Sequence, residues 1–322
     1  MSFGMFYHRK DNENYLVFIV WDDTVDISLF ISLSVNGFAM GMIYALIAMG
    51  LILLIRAIGV LNFAQGDLLM FGAFISSALI LDLELPLYAM VPVALISFAL
   101  IGVIFMFSVY WPLRDASYPV AHIISTMGAS IALREIATLI WGSIPRSMPP
   151  LMRDSETGRA AVLRIADINL QWQFVLTIIV GAVLIILVFI LFEKLYAGRM
   201  MQAAAQDKYA AELLGIPTIL TTAATYIIVV ILASVGGYMV SPIFMVSNTL
   251  GVLQLRAFAG VVIGGFGNIK GAIIGSLFVG VVESFGSLHF SQYRDAIVFT
   301  VLIVVLLFRP QGFFGEKVAD KA

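Results

Sequence analysis

Residues 28–55 read SLFISLSVNGFAMGMIYALIAMGLILLI and contain no charged side chain. A helix needs about 20 consecutive apolar residues to cross the hydrocarbon core of a bilayer, so this run is long enough to span one. Unpaired backbone amides and carbonyls are too costly in lipid, and the run is therefore expected to be helical. The stretch predicts an α-helical integral membrane protein.

The composition extends this prediction to the whole chain. Of its 322 residues, 61% are hydrophobic and 12% are charged, and the mean hydropathy is +1.03. A soluble domain carries about 25% charged residues. The net charge of −2 gives no reason to expect a nucleic-acid partner, and the absence of cysteine excludes disulfides and thiolate metal sites.

Further apolar runs, bounded by charged residues or proline, follow the first one. Together they predict an all-α, polytopic transmembrane helical bundle of about eight or nine spans that contacts the lipid bilayer directly. The glycine-rich stretch 264–275 leaves open whether 250–288 forms two spans or a re-entrant hairpin. The further candidate spans are 63–82, 87–111, 120–141, 171–192, 217–239, 250–266, 271–288 and 295–308.

The runs divide the chain into a leader, a membrane domain and a tail. Residues 1–27 are predicted to be a polar leader without a signal-cleavage site, residues 28–310 the membrane domain, and residues 311–322 a cytoplasmic tail. Within the membrane domain, 142–170 is predicted to be an extracytoplasmic loop and 193–216 a cytoplasmic one.

The distribution of lysine and arginine in the loops predicts the orientation. Short cytoplasmic loops carry an excess of these residues, and the predicted outer loops 83–86 and 240–249 contain none. This bias places the N-terminus outside and the C-terminus in the cytoplasm. The basic residues of the inner segments are then Arg56, Arg114, Lys194, Arg199, Lys208, Lys270, Arg309, Lys317 and Lys321.

No motif in the chain predicts catalysis or metal binding. The stretch from Gly264 to Gly275 resembles a phosphate-binding loop, but isoleucine precedes Lys270 and glycine follows it. The G-x-x-x-x-G-K-[ST] pattern therefore fails. We expect no catalytic residue, no metal ligand and no bound cofactor in this chain, so that any ATP used must bind to another subunit.

This stretch and the residues just before it contain glycines at helical spacing. Gly260 and Gly264 lie four residues apart, as do Gly267, Gly271 and Gly275. Such a stripe allows another helix to pack closely in a membrane. It is either ordinary packing or a movable helix contact near a pathway.

The inner loop 193–216 is predicted to contain a short amphipathic helix over 199–214. These residues are good helix formers, Gly215 stands where a C-terminal cap belongs, and Pro217 prevents continuation. The helix either rests on the membrane surface or docks into a cytosolic partner and transmits its motion. Its apolar stripe includes Met200, Ala204, Ala211 and Leu214.

A polar cluster stands at the start of the second span. Asn62 followed by Gln65 is a capping-box pattern, and Asp67 suits the positive end of a helix dipole. A helix N-terminus inside the membrane is also suited to receive the carboxylate of a permeating zwitterion. Both interpretations stay open at this stage.

Ionisable residues within spans are expensive in lipid and are expected to face a cavity or a partner. Arg134 and Glu135 are about 100° apart on a helix, so they need separate partners. Ser125 and Thr126 either line a pathway or bond to backbone carbonyls. The ionisable residues concerned are Arg134, Glu135, Arg256 and Glu283.

Five segments together resemble the permease subunits of branched-chain amino acid ABC importers, the LivH-like family. They occur in this order on predicted spans and on the inner loop 193–216, from about residue 30 to 310. The segments are Gly41–Gly50, Leu61–Asp67, Ile124–Ser130, Gly198–Ile216 and Gly260–Gly280.

The resemblance implies a type II-like ABC permease fold in the bacterial inner membrane. It also implies a second homologous permease, two cytosolic ATPase subunits that use ATP, and a periplasmic substrate-binding protein. The expected substrates are leucine, isoleucine and valine. Urea or short-chain amides are the alternative, because related permeases carry them.

The resemblance also identifies residues that would contact the ATPase. Gln206 departs from the family, in which an acidic residue commonly precedes Asp207. The residues matching the family's contact loop are Ala203, Ala204, Ala205, Asp207, Leu214 and Gly215.

An ion-coupled secondary transporter is the competing class. It is disfavoured because the spans contain few carboxylates, chiefly Glu135 and Glu283.

Overall fold

The computed structural model describes residues 4–10, 13–19, 27–114, 116, 118–152, 160–165 and 168–315. Parts of the predicted leader and tail lie outside the described residues, namely 1–3, 11–12, 20–26 and 316–322.

The described chain is a helical bundle with two small antiparallel hairpins. The hairpins, which hydropathy did not predict, pair β1 (Gly4–Lys10) with β2 (Glu13–Ile19) and β3 (Val162–Ile165) with β4 (Ile168–Gln171). The helices are α1 (Ile27–Ile58), α2 (Gln65–Ser77), α3 (Leu87–Phe105), α4 (Pro119–Trp141), α5 (Trp172–Lys194), α6 (Tyr196–Gln206), α7 (Lys208–Leu213), α8 (Thr218–Val240), α9 (Leu253–Gly264), α10 (Ile269–His289) and α11 (Arg294–Phe308).

Short irregular turns extend several of these helices. α2 continues through a π-helical turn, Ala78–Asp82, and α3 continues through Met106–Tyr110 and Trp111–Leu113. Single 3₁₀ turns, Leu250–Val252 and Ser291–Tyr293, precede α9 and α11.

Eight helices within the described ranges are long and apolar enough to cross a membrane. The predicted span 250–266 is not among them, because α9 has only 12 residues. At 1.5 Å per residue it is about 18 Å long, little more than half of a hydrocarbon core. Residues 250–288 therefore form one half-length helix and one full span, joined by a turn at 265–268.

α1 lies at the centre of the bundle. It packs against α10, α8, α5 and α9 and is buried over most of its length, whereas α4 and α11 are mostly exposed. We call the end of the bundle where α1 finishes and α8 begins the inner end, and the opposite end the outer end. Ala57, Ile58 and Thr218 line one small cavity at the inner end.

Four of the five glycines in the predicted small-residue stripe lie at the α9–α10 contact. A Cβ added at Gly264 would overlap the backbone of Gly271, and one added at Gly275 would overlap the backbone of Gly260 and Gly264. Gly267 does not belong to this contact. It lies in the turn between the helices with φ +89°, and nothing lies within 4 Å of its added Cβ.

Replacement of Gly275 by leucine is expected to destabilise the protein by about 1–3 kcal/mol, since two touching backbones must move apart. Thermal unfolding in detergent, followed by tryptophan fluorescence, measures this. Gly128→Leu is the matched control, because Gly128 is also helical but has open space around it. Equal unfolding temperatures for the two variants would contradict close packing at Gly275.

Candidate functional site

α2 begins deep inside the bundle rather than at its inner end. The side-chain amide of Gln65 donates to the carbonyl of Val229 at 3.3 Å and lies against Gly50. Gly50 is eight residues from the last residue of α1, and Val229 is eleven residues from the first residue of α8. At 1.5 Å per residue, α2 therefore starts about 12–17 Å from the inner ends of its neighbours.

α9 begins at a similar depth in the bundle, but the chain reaches this point from the outer end. The chain leaves the outer end of α8 at Val240 and returns into the bundle before α9 starts. Gly251, in the turn before α9, lies against the backbone of Gly66 and the side chain of Asp67. The N-termini of α2 and α9 thus meet in mid-bundle, and we call this contact of Gly66 and Asp67 with Gly251 the helix junction. Membrane transporters use such an arrangement to hold charged solutes.

The side chain of Gln254 bridges the two N-termini. Its oxygen accepts from the amide of Gly66 at 2.6 Å, and its nitrogen donates to the carbonyl of Asn62 at 3.1 Å. Both bonds are buried, so they hold the loop before α2 against the first turn of α9. Gln254 was not among the predicted residues, because a single glutamine in an apolar run has no motif that identifies it.

The predicted capping box at Asn62 is wrong in detail. α2 starts at Gln65 with Ala64 as its N-cap residue, and no side chain caps it. Asn62 instead accepts from the amide of Ala64, two residues on, at 2.9 Å. The bridge from Gln254 and the bond from Gln65 to Val229 replace the local cap with contacts between helices.

Asp67 and Arg134 form an ion pair across α2 and α4. Arg134 Nε lies 2.7 Å from Asp67 Oδ1. The side chain of Asp67 is 1% exposed and that of Arg134 is 42% exposed. The second carboxylate oxygen, Oδ2, is buried without a hydrogen-bond partner among the described residues. One partner is thus buried beside the helix junction, and the other reaches the open face of α4.

The other residues predicted on α4 have different surroundings. Glu135 is exposed and makes no ion pair within the described ranges, whereas Arg134 pairs with Asp67. These adjacent side chains therefore have different surroundings. Ser125 donates to the carbonyl of Val109 at 3.1 Å. Thr126 donates to the carbonyl of Ile123 and accepts from the amide of Phe63. Both hydroxyls therefore bond to the backbone, and Thr126 also ties α4 to the loop before α2.

Arg256, in the first turn of α9, lies in a separate network. It pairs with Glu283 of α10, and its Nε lies 2.9 Å from Asp295 of α11. Its guanidinium also donates to the hydroxyl of Tyr44, which in turn donates to Glu283 at 2.5 Å. The network joins α1, α9, α10 and α11, so these charges satisfy one another within the protein. Tyr44 and Asp295 were missed, because nothing local in the sequence pairs them with Arg256.

The segment between α5 and α8 is two helices, where the sequence predicted one over 199–214. Asp207 has an extended backbone (φ −152°, ψ 104°) and separates α6 from α7. Its carboxylate accepts from the amide of Ala210 at 2.9 Å and caps α7. Gly215 ends α7 as predicted, with φ +80°. Its amide and that of Ile216 donate to Glu212 and Ala211, which is a Schellman motif.

α6 is packed onto the membrane helices, whereas α7 protrudes. Gly198 lies against the backbone of Leu191 and Phe192, and Gln202 donates to the carbonyl of Phe192 at 2.7 Å. Ala203, Ala204 and Ala205 are half-buried, and the last two line a cavity of about 210 Å³ beneath α1, α3 and α8. On and after α7 the exposed apolar residues are Tyr209 (73% exposed), Leu213 (71%) and Leu214 (81%), and Leu195 and Tyr196 are exposed where α6 begins.

Comparison with known proteins shows the family. Residues 33–306 match the family model described as the permease component of branched-chain amino acid transport systems. The chain belongs to this family. The matched range of this permease includes both the helix junction and the segment α6–α7, and it leaves the β1–β2 hairpin outside.

Curated relatives match the permease over nearly their whole length. It is 32% identical over 297 residues to the high-affinity branched-chain amino acid permease protein LivH of Salmonella typhimurium, covering 89% of this chain and 96% of the relative. It is 31% identical over 298 residues, with the same coverage, to the corresponding protein BraD of Pseudomonas aeruginosa. Both relatives are transport subunits.

A solved structure, PsaBC from Streptococcus pneumoniae in complex with Fab, resembles the permease more distantly. It covers 87% of this chain and 92% of its own, with 13% identity and a TM-score of 0.46. This likeness is too slight to support an argument about function.

Proposed function

We propose that this permease translocates branched-chain amino acids across the bacterial inner membrane as one of two paired permeases. A periplasmic binding protein delivers the substrate, and two cytosolic ATPases bind and hydrolyse the ATP, which this chain does not bind. The family and the transport systems to which its relatives belong support the substrate class. In this proposal the helix junction forms part of the substrate path, and the protruding α7 is the contact with the ATPase.

The half-exposed Arg134 is the observation on which the pathway proposal depends. A cation at the centre of a membrane helix costs about 2.5–3.5 kcal/mol in lipid, and the 42% exposure of this side chain leaves it unshielded by its own chain. Its face of α4 therefore borders a water-filled path or the second permease. Asp67 pairs with it from α2, and Asn62 and Gln65 belong to the same junction of α2 and α9, which forms the wall of that path.

The proposed orientation places the N-terminus outside and α6–α7 in the cytoplasm. The inner end of the bundle carries Arg56, Lys194 and Lys270, and the loops of the outer end at 83–86 and 240–249 carry no lysine or arginine. This distribution is the one that the positive-inside rule favours. α7 then lies where a cytosolic ATPase can reach it.

The energy for the cycle comes from the partner subunits. A ligand shifts a conformational equilibrium only when it binds the two states differently. ATP therefore has to favour the closed ATPase pair, and α7 moves with that pair. α6 lies between α7 and the ends of α1, α3 and α8, and it passes the movement to the membrane helices.

Reconstitution of the purified permease with its ATPases and a second permease tests the proposal. Proteoliposomes are expected to accumulate leucine only when ATP and the binding protein are present. Preferential uptake of urea or acetamide would assign the substrate to the alternative class. Uptake by this chain alone, driven by a proton or sodium gradient, would overturn the ATP-driven mechanism.

A further inference from the structure

A large groove with excess positive charge opens at the inner end of the bundle. Its volume is about 980 Å³, and it lies between the ends of α1 and α5, the start of α10 and residues 310–315. Its lining includes four charged side chains and two aromatic ones, which are Arg56, Glu193, Lys194, Lys270, Phe189 and Phe266.

The charges of the groove do not cancel. Arg56 and Glu193 form an ion pair at 2.7 Å and neutralise each other. Lys194 and Lys270 have no carboxylate within ion-pair distance in the described part of the chain, and both are exposed. The ammonium of Lys270 stands 5.8 Å from the ring centre of Phe189. The groove thus presents two positive charges beside an apolar wall, which suits an anion attached to an apolar group.

Each lysine stands at the end of an exposed apolar stripe. On α10, Ile274 and Phe278 follow Lys270 at intervals of four residues and are 45% and 38% exposed. On α5, Ile190 and Ile186 precede Lys194 at the same interval and are 46% and 57% exposed. Residues four apart share one face of a helix. Both stripes therefore run from the charged groove towards the middle of the membrane.

The two helices that carry these stripes stand apart from each other. α5 and α10 both pack against α1, Gly181 meeting Met42 and Gly280 meeting Gly41, but beyond the side-chain contact of Lys270 with Phe189 their backbones stay apart. A cleft with α1 as its floor therefore separates them above the groove. Neither helix contributes to the α2–α4 wall proposed for the pathway, and the exposed apolar side chains of both helices suit contact with lipid.

We propose that this cleft binds one anionic phospholipid of the inner leaflet. The phosphate lies in the groove between Lys194 and Lys270, and an acyl chain lies along the apolar stripes of α5 and α10. Basic pockets between membrane helices on the cytoplasmic side recognise anionic headgroups in this way. A soluble anion would use the lysines but not the stripes, and an uncharged lipid would use the stripes but not the lysines.

Native mass spectrometry of the full-length, delipidated permease, titrated with phosphatidylglycerol in detergent, tests the proposal. Each of Lys194→Ala and Lys270→Ala is expected to weaken phosphatidylglycerol binding roughly fivefold, because a cation near an anionic lipid contributes on the order of 1 kcal/mol. Lys270→Arg is expected to bind nearly as the unmodified chain does, since it keeps the charge. Arg309→Ala, which removes one positive charge outside the groove lining, is the matched control and is expected to leave binding unchanged.

Three results would overturn the proposal. Phosphatidylcholine binding as tightly as phosphatidylglycerol would show that the lysines do not select the lipid. Displacement of phosphatidylglycerol by an equal concentration of glycerol phosphate would show a site for a soluble anion. Unchanged binding in the Lys194→Ala, Lys270→Ala double variant would place the lipid elsewhere.

Unfolding temperatures without lipid show whether a variant still folds. Leucine uptake is measured separately and decides only the proposed function.

Discussion

Replacement of Arg134 by alanine is expected to reduce leucine uptake by the reconstituted transporter to below about 1% of the unmodified rate. Asp67 is buried, and its only ion-pair partner within the described residues is Arg134. Removing one member of a buried ion pair costs about 3–5 kcal/mol, because the other charge is left without compensation. The loss is large enough for this single variant to impair folding as well as transport.

A double variant separates the two effects. Asp67→Asn with Arg134→Gln removes both charges together and keeps groups of similar size, so the unfolding temperature is expected to recover towards that of the unmodified permease. If the pair lines the translocation path, uptake stays lost in this folded protein. Recovery of uptake together with stability would show that the pair only holds α2 to α4, and the pathway proposed at this face would be withdrawn.

Replacement of Leu214 by glutamate is expected to separate ATP hydrolysis from transport. Leu214 is 81% exposed, so a charge there leaves the fold of the isolated permease intact. Buried apolar anchors at protein interfaces typically contribute about 2 kcal/mol or more, which corresponds to a roughly thirtyfold weaker contact with the ATPase. Pull-down of the ATPase and simultaneous measurement of ATP hydrolysis and leucine uptake test this.

Leu195→Glu provides the control for the Leu214 variant. Leu195 is 51% exposed and lies between α5 and α6, so it introduces the same charge at the same end of the bundle but away from α7. It is expected to retain ATPase binding. Full uptake by Leu214→Glu would show that α7 does not transmit the motion of the motor.

Hydropathy alone located most helices of the bundle, because lipid requires a long apolar run wherever a helix crosses it. The prediction for α1 was 28–55, and the helix is Ile27–Ile58. The same measure was wrong for 250–266. Average apolarity reports that a segment avoids water, and it does not report the depth at which the segment starts. A half-length helix inside the bundle therefore has nearly the same hydropathy as a full span.

Local rules also described parts of the segment between α5 and α8. Gly215 was expected to end a helix, and its positive φ confirms this, because few other residues adopt that conformation at low cost. The break at Asp207 was missed. Asp207 ends one helix and caps the next, and the alanines around it favour an uninterrupted helix by propensity alone.

The amino-acid sequence by itself determined the class of this protein: a polytopic helical permease in which Asp67, Arg134, Arg256 and Glu283 stand as rare charges in apolar runs. Only the tertiary structure decided their partners, joining Asp67 to Arg134 and Arg256 to Glu283, Tyr44 and Asp295. The physical reason is that insertion into lipid depends on the composition of each segment alone. The pairing of buried charges depends instead on which helices become neighbours. Tyr44 and Glu283 are 239 positions apart, and no local sequence pattern indicates that they are in contact.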